Sequence, residues 1–157
     1  MINSIKIISG GQSGVDRAAL DFALENSIVC GGFCPKGRLA EDGPIDPKYP
    51  LIESLSPEFH KRTELNLLLT DGTLILTSGK MDTGTIFTHK LVEKYEIPNL
   101  VVNLKIKKDP TSILNWILDN NISMLNIAGP RESSSPGIYK KAKGFMESFF
   151  MRVLQQK

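Results

Sequence analysis

The sequence predicts a doubly wound α/β protein with a mostly parallel sheet and helices on both faces. Two observations support this prediction: short aliphatic and β-branched runs alternate with stretches of helical periodicity, and glycine-rich turns follow several of those runs. Strands that alternate with helices pair in parallel through right-handed crossovers. The chain has 157 residues, with neither repeats nor a linker. Residues 1–157 are therefore expected to form a single domain.

The first predicted unit is a strand over residues 5–8, a glycine-rich turn over residues 9–14 and a helix. Apolar residues at the spacing of one buried stripe define this helix. They are Val15, Ala18, Ala19, Phe22 and Ala23. Ser13 is expected to cap the helix, with Asp16 three residues further on as in a capping box. Residues 28–30 are a candidate for a short second strand.

Residues 31–55 break this rhythm. Pairs such as Gly31-Gly32 and Gly43-Pro44 are typical of turns, and a connection this long inside one domain is usually functional or mobile. The next helix is expected to open at Ser56-Pro57, with proline at its first position. It is expected to end at Asp71-Gly72.

The remaining predicted elements alternate regularly. In order they are a buried strand over residues 73–77, a loop over 78–83, a helix to about residue 96, a strand over 99–104, a helix opened by Asp109-Pro110, a strand over 124–128 and a helix from about Pro136. In such a parallel sheet, ligands bind beyond the carboxyl ends of the strands.

Composition argues against several functions. The formal net charge of +2 is too small to indicate a nucleic-acid-binding or membrane surface, and no apolar run has the length of a membrane span. Cys30, Cys34 and the isolated His60 and His89 do not supply the ligands of a structural zinc site. The chain starts without a signal-peptide pattern, and unpaired cysteines are typical of the cytoplasm, where the protein is expected to reside.

Four loops should meet at the carboxyl edge of the sheet: residues 9–14, 32–43, 77–85 and 129–137. Gly10-Gly11-Gln12-Ser13-Gly14 leads from a strand into the start of a helix, where unpaired N–H groups and the helix dipole favour an anion. The alternative is a tight turn whose glycines serve only backbone geometry. The spacing matches neither the dinucleotide fingerprint nor a P-loop.

Basic residues recur in or near these loops. Lys36 and Arg38 lie in the second loop, Arg131 lies in the fourth, and Arg17 lies just inside the first helix. Arginine and lysine are the residues that pair with phosphate. Their recurrence at one edge of the sheet therefore favours a ligand that carries a phosphate group.

Arg62 and Asn66 stand apart from the loops. They are spaced i, i+4 and so share one face of their helix. This helix is rich in leucine and must bury its other side. The pair is therefore expected to mark the polar side of the helix.

Five segments, in this order along the chain, carry a more specific signal. They cover residues 10–20, 34–38, 62–66, 71–75 and 129–133. Together they resemble the molybdenum cofactor carrier family of the SLOG superfamily, which is related to the lysine-decarboxylase-like Lonely Guy proteins. The resemblance implies a Rossmann-like fold, homo-oligomers, and a positively charged cleft that binds the molybdenum cofactor (molybdopterin) as cargo.

The loops and the resemblance together give the candidate ligand- and phosphate-binding residues. They are Gly10, Gly11, Gln12, Ser13, Gly14, Arg17, Lys36, Gly37, Arg38, Arg62, Asn66, Ser78, Gly79, Gly84, Thr85, Gly129, Pro130, Arg131, Glu132 and Ser133. No protein ligand to the metal is expected, because the dithiolene of the cofactor holds the molybdenum. Molybdoenzymes or cofactor-biosynthesis proteins are the expected partners.

The enzymatic relatives in that superfamily hydrolyse nucleoside monophosphates. They use an arginine nine residues before an aspartate, followed by a loop that ends in a catalytic glutamate. Here Arg62 lies nine residues before Asp71, but Thr88 stands where the glutamate falls. A hydroxyl group cannot replace a carboxylate general base. The sequence therefore favours a carrier over a hydrolase, although Glu132 in another loop can still reach the site; a sensor of nucleotide-like ligands is a third alternative.

A homodimer or dimer-based homotetramer is expected, mainly from the resemblance. The last helix adds one observation, since Phe149, Phe150 and Met151 are adjacent. Its apolar side chains therefore point at more angles than one buried stripe can absorb.

Overall fold

This computed structural model describes residues 4–155, which contain nine strands and five helices joined by loops. The strands are β1 (Lys6–Ile8), β2 (Cys30–Gly31), β3 (Phe33–Cys34), β4 (Leu39–Ala40), β5 (Gly43–Pro44), β6 (Ile52–Glu53), β7 (Gly72–Thr77), β8 (Asn99–Asn103) and β9 (Met124–Ala128). The helices are α1 (Val15–Glu25), α2 (Phe59–Leu69), α3 (Thr83–Lys94), α4 (Pro110–Asp119) and α5 (Ile138–Gln155).

Five of these strands form the central sheet, in the order β2-β1-β9-β7-β8. Every pairing in this sheet is parallel. The last strand, β9, lies between β1 and β7, with Leu125 opposite Ile7 and Ile127 opposite Leu74. Helices flank the sheet, which confirms the predicted Rossmann-like, doubly wound α/β class.

The buried apolar residues of the described chain form three clusters. In the largest, α1, α4 and α5 pack with strand residues such as Ile7 and Leu125, and Phe22 and Phe149 are among its largest fully buried side chains. In a smaller cluster, Leu67 of α2 packs with Leu91 and Val92 of α3. This packing holds the carboxyl ends of β1, β7 and β9 in place, and each of these ends leads into a loop.

The long segment after β2 contains short paired strands rather than being a plain loop. It forms a parallel pair, β3 with β6, and an antiparallel pair, β4 with β5. The guanidinium group of Arg38 holds it together by donating to the carbonyl oxygens of four residues. They are Ile45 at 3.0 Å, Leu51 at 3.2 Å, Asp46 at 2.8 Å and Tyr49 at 3.0 Å.

Two predicted helix starts are wrong. The N-cap of α1 is Gly14, at φ 81°, and no side chain caps this helix. Asp16 instead accepts a hydrogen bond from the N–H of Gln12, and the hydroxyl of Ser13 bonds Glu41. Helix α2 begins at Phe59, after Pro57 rather than at it.

The predicted polar side of α2 is also wrong. Arg62 and Asn66 are buried, whereas Leu65, Leu68 and Leu69 are exposed. The reason is that both polar side chains find partners inside the protein, as described below. In α5, Phe149 and Phe150 are both buried and only Met151 is exposed, so the two phenylalanines do not form an external apolar surface.

Within residues 4–155, none of the helices combines the length and the apolar character needed to cross a membrane.

Candidate functional site

A cavity of about 530 Å³ lies at the carboxyl ends of β1, β7 and β9. This volume is within the range of small-molecule sites in proteins. Its lining comes from the starts of α1 and α3, one side of α2 and the loop after β9. The lining residues are Gly10, Gln12, Asp16, Phe59, His60, Arg62, Thr63, Asn66, Asp82, Thr83, Gly84, Phe87, Thr88, Asn126, Ala128, Gly129 and Arg131.

A buried ion pair forms the inner end of this cavity. Arg62 of α2 donates from Nη1 to Asp16 Oδ2 of α1 at 3.2 Å, and from Nε to the carbonyl oxygen of Phe59 at 3.2 Å. Burial raises the pKa of Asp16, and the adjacent Arg62 opposes this effect without cancelling it. A buried ionic pair is stable only when its polar atoms find partners, so this pair is sensitive to what enters the cavity.

Gly10 makes room for Arg62. A Cβ atom at position 10 would overlap Nη1 and Cζ of the guanidinium group. The predicted glycine-rich turn is therefore needed here for the approach of a side chain, in addition to backbone geometry.

Asn66 fixes the wall of the cavity rather than offering free groups to a ligand. Its Oδ1 accepts from the N–H of Phe33 at 2.7 Å, and its Nδ2 donates to the carbonyl of the same residue at 3.0 Å. These two hydrogen bonds to the backbone join α2 to β3, and they explain why a polar residue is buried on this face of the helix.

Three ring-bearing side chains form one wall of the cavity. They are Phe59 and His60 at the start of α2 and Phe87 of α3. The rings of His60 and Phe87 meet edge to face, with centroids 5.8 Å apart. Walls of this kind suit flat, ring-shaped ligands, because aromatic faces stack on one another or meet edge to face.

Asp82 ties together the two loops at the mouth of the cavity. It caps α3 by accepting from the N–H of Thr85 at 2.9 Å, and its second oxygen accepts from the N–H of Arg131 at 3.2 Å. The side chain of Arg131 is 46% exposed and lies 3.6 Å from Glu41 Oε2. Among the lining residues, the two carboxylates of Asp16 and Asp82 match the two guanidinium groups of Arg62 and Arg131 in number. The lining therefore lacks the excess of positive charge that the resemblance implies.

Side chains of the protein already occupy much of the predicted backbone anion site. The N–H of Ser13 donates to Gln12 Oε1 at 2.9 Å, the N–H of Glu132 donates to the hydroxyl of Ser13 at 3.1 Å, and the N–H of Ser133 donates to Glu41 Oε1 at 3.1 Å. An anion that binds these N–H groups has to displace them from partners within the protein.

The structure brings seven of the predicted site residues into the cavity lining. They are Gly10, Gln12, Arg62, Asn66, Gly84, Gly129 and Arg131. The others lie outside it: Gly11, Ser13, Gly14, Arg17, Lys36, Gly37, Arg38, Ser78, Gly79, Thr85, Pro130, Glu132 and Ser133.

Several of the residues outside the lining have structural partners instead. Arg17 pairs with Asp42 at 3.0 Å, and Arg38 holds the segment after β2. Glu132 accepts from the N–H groups of Gly137 at 2.5 Å and Tyr139 at 3.0 Å, so it caps the start of α5 and does not line the cavity.

Sequence reasoning missed the two lining aspartates, the aromatic wall and Asn126. The sequence predicts that Asp16 belongs to a helix cap, and this prediction gives no sign of its ion pair with Arg62. Asn126 is a buried polar residue in the middle of an apolar strand, a signal that the sequence does contain. Thr88, the residue that replaces the glutamate of the hydrolases, does line the cavity, and its hydroxyl donates to the carbonyl of Gly84 at 3.1 Å.

In the described part of the chain, no three His, Cys, Asp or Glu side chains are grouped so that they could hold a metal ion. Cys34 is fully buried in a cluster with Leu20, Ile45, Tyr49 and Leu51, away from the cavity. Burial raises the pKa of its thiol.

The parallel sheet and the polar cavity beyond its strand ends define a Rossmann-like ligand-binding domain. Residues 7–150 match the model of the circularly permuted YpsA family of SLOG proteins. The chain is also similar to the crystal structure of a "putative molybdenum carrier protein" from Syntrophus aciditrophicus, with 44% identity, a TM-score of 0.90 and coverage of 94% of this chain and 96% of that one. The chain therefore belongs to this SLOG family, which confirms the membership that its motifs indicate. A comparison with curated proteins finds no match.

Proposed function

We propose that this protein is a carrier that holds the molybdenum cofactor, a phosphorylated pterin, in the cavity at the carboxyl edge of the sheet. The observation that carries this proposal is the form of the cavity: an aromatic wall, a buried polar inner end and an arginine at the mouth. The similar protein from Syntrophus aciditrophicus, a "putative molybdenum carrier protein", supports the same proposal.

The terminal phosphate belongs at the mouth in this proposal. The side chain of Arg131 is about half exposed there. The backbone N–H groups of Thr83 and Gly84 lie in the first turn of α3, which also borders the mouth. A phosphate at this end keeps part of its hydration while it gains a charge-assisted contact. The dithiolene of the cofactor holds the molybdenum, so no side chain of this chain has to act as a metal ligand.

The first experiment is to purify the protein from its own host and identify what it carries. Native mass spectrometry should show a bound mass, molybdenum should be found by elemental analysis, and oxidation of the bound material should release a fluorescent pterin. We expect Arg131→Ala to carry less cofactor than wild type and Lys36→Ala, outside the cavity, to carry the same amount. Protein that carries a nucleotide and no pterin would overturn the proposal.

Delivery follows from the same proposal. A carrier that loads and releases cofactor needs a recipient, and we propose molybdoenzymes or cofactor-biosynthesis proteins of the cytoplasm in this role. Transfer is testable by mixing loaded carrier with a cofactor-free molybdoenzyme and measuring the recovery of enzyme activity.

A second candidate function is N-glycosidic hydrolysis of a nucleotide. One specific observation favours it: two carboxylates, Asp16 and Asp82, line the cavity, and carboxylates are what enzymes use to stabilise the positive charge of a breaking glycosidic bond. Both carboxylates are engaged, Asp16 by Arg62 and Asp82 by Thr85 and Arg131. For this reason the carrier remains our first proposal.

We also propose that a second copy of the chain covers the exposed face of α2 to form a homodimer, alone or within a tetramer. Leu65, Leu68 and Leu69 give this face its apolar character. None of these three leucines lines the cavity, so the proposed dimer face is separate from the ligand site.

A further inference from the structure

Two atoms of the Asp16–Arg62 pair have no hydrogen-bond partner among residues 4–155. Asp16 Oδ2 accepts from Arg62 Nη1 at 3.2 Å and from the N–H of Gln12 at 3.4 Å. None of the hydrogen bonds in residues 4–155 uses Asp16 Oδ1 or Arg62 Nη2.

Both unpartnered atoms open onto the cavity. The two residues are only 8% and 7% exposed, and both line the cavity. Yet among the described residues there is no fully buried side-chain nitrogen or oxygen that lacks a partner. The remaining surface of Asp16 Oδ1 and Arg62 Nη2 therefore faces the cavity, where it presents an acceptor close to a donor.

This arrangement suits an uncharged polar edge better than an anion. The charge of Arg62 is matched by Asp16, so a phosphate group placed against the guanidinium would also meet a carboxylate, and like charges repel strongly where water is excluded. A ring that presents C=O beside N–H satisfies both atoms without that repulsion. Guanine presents such an edge, with its O6 acceptor, and the pterin ring has the same arrangement of groups.

The aromatic wall stands beside the pair. Arg62 Nε donates to the carbonyl of Phe59 at 3.2 Å, which fixes the first turn of α2 against the ion pair. Phe87 and His60 continue the wall. A flat ring whose edge reaches the pair can stack against these side chains, and stacking of a base on an aromatic side chain contributes substantially to binding.

We infer that the inner end of the cavity binds a 2-amino-4-oxopyrimidine ring, the edge that pterins and guanine share. The ring carbonyl accepts from Arg62 Nη2, and the ring N–H and the 2-amino group beside it both donate to Asp16 Oδ1. The phosphate then points outward to Arg131. This inference rests on the proposed function. It specifies which ring the cavity recognises and assigns the hydrogen bonds to that ring to Asp16 and Arg62.

The test compares pterin with lumazine, which has oxygen in place of the 2-amino group, by titration calorimetry near neutral pH. Wild type should bind pterin on the order of tenfold more tightly, since a lost hydrogen bond to a charged group has about that effect. In Asp16→Asn the new amide donates where Oδ1 accepted, so the preference should disappear or reverse. Asp42→Asn is the matched control, because Asp42 also pairs with an arginine, at 3.0 Å, but lies outside the cavity.

The ratio of the two affinities is measured on one preparation, so a partly unfolded variant does not distort it. Equal binding of the two rings by wild type overturns the inference, as does an unchanged ratio in Asp16→Asn. Neither result decides the carrier proposal, because that proposal is tested separately by identifying the cofactor that copurifies with the protein. Guanosine is titrated in parallel: tighter binding of guanosine than of pterin supports the ring-reading pair while it counts against a pterin cargo.

Discussion

The guanidinium group of Arg62 occupies the space beside Gly10 that any larger residue at position 10 would need. Arg62 cannot withdraw easily, because it is tied to Asp16 and to the backbone of Phe59. We expect Gly10→Ala to lower the free energy of unfolding by about 1–3 kcal/mol and to weaken ligand binding. Urea unfolding and calorimetry measure the two effects.

A matched control for this change is Gly144→Ala. Gly144 lies in α5, and a Cβ atom there meets no atom within 4 Å. Because alanine favours a helix over glycine by about 1 kcal/mol, this variant should be slightly more stable than wild type. If Gly10→Ala were as stable as Gly144→Ala, the close approach of Arg62 to Gly10 would not matter for the fold.

The stability of the protein should fall in acid partly through Glu41. Its carboxylate accepts from Ser13 Oγ, Ser133 Oγ and the N–H of Ser133. Desolvation acts to raise the pKa of Glu41, but these hydrogen bonds and the charge of Arg131 outweigh it and lower the pKa below 4.5. A carboxyl group with a lowered pKa stabilises the fold above its unfolded pKa, and this contribution is lost as the pH falls through the folded value.

We therefore expect the melting temperature to decline below about pH 4.5, and to decline less steeply in Glu41→Gln than in wild type. Thermal melts across the acidic range measure this slope. Glu93→Gln, an exposed change on α3, should keep the wild-type slope. Parallel curves for wild type and Glu41→Gln would mean that the hydrogen bonds from Ser13 and Ser133 to this carboxylate do not stabilise the fold in solution.

No appreciable hydrolysis of nucleoside monophosphates is expected. Thr88 cannot act as a carboxylate, and Glu132 is held at the start of α5 by Gly137 and Tyr139. Chromatographic assay of free base from a panel of monophosphates, with wild type and Thr88→Glu side by side, measures this. Robust release by wild type that Asp16→Asn abolishes would make the enzyme, rather than the carrier, the correct function.

The assembly proposal predicts that Leu68→Lys yields monomers. Leu68 is 59% exposed on the apolar face of α2, and a charged side chain there should not be buried against a second copy without a large desolvation cost. Light scattering at micromolar concentration gives the mass. Leu118→Lys, at a 46% exposed leucine of α4, should leave the mass unchanged, and a wild-type monomer would end the proposal.

Much of the sheet could be predicted from the sequence because buried parallel strands are continuous apolar runs. The predicted strand over residues 124–128 matches β9, and that over 73–77 differs from β7 by one residue. Helix α2 could not be predicted in the same way. Its periodicity does not reveal that Arg62 and Asn66 find partners on α1 and β3, so its buried and exposed sides were exchanged.

The candidate site was only partly predictable for the same reason. A glycine-rich loop and a basic residue are visible in a sequence, but their partners are not. The sequence predicts Arg38 as a phosphate ligand, yet its guanidinium group donates to four carbonyl oxygens between residues 45 and 51. The sequence predicts Asp16 as part of a helix cap, yet Asp16 pairs with Arg62, which lies 46 residues further along the chain.

The position of β9 has a consequence for how the protein is made. This strand joins β1 to β7, so a nascent chain that has emerged only as far as α4 holds two separate parts of a sheet, each with an unpaired edge that invites wrong pairing. The cavity is also incomplete at that stage, because Asn126, Ala128 and Gly129 have not arrived. The complete cavity therefore exists only once this last strand has been translated and has paired with β1 and β7.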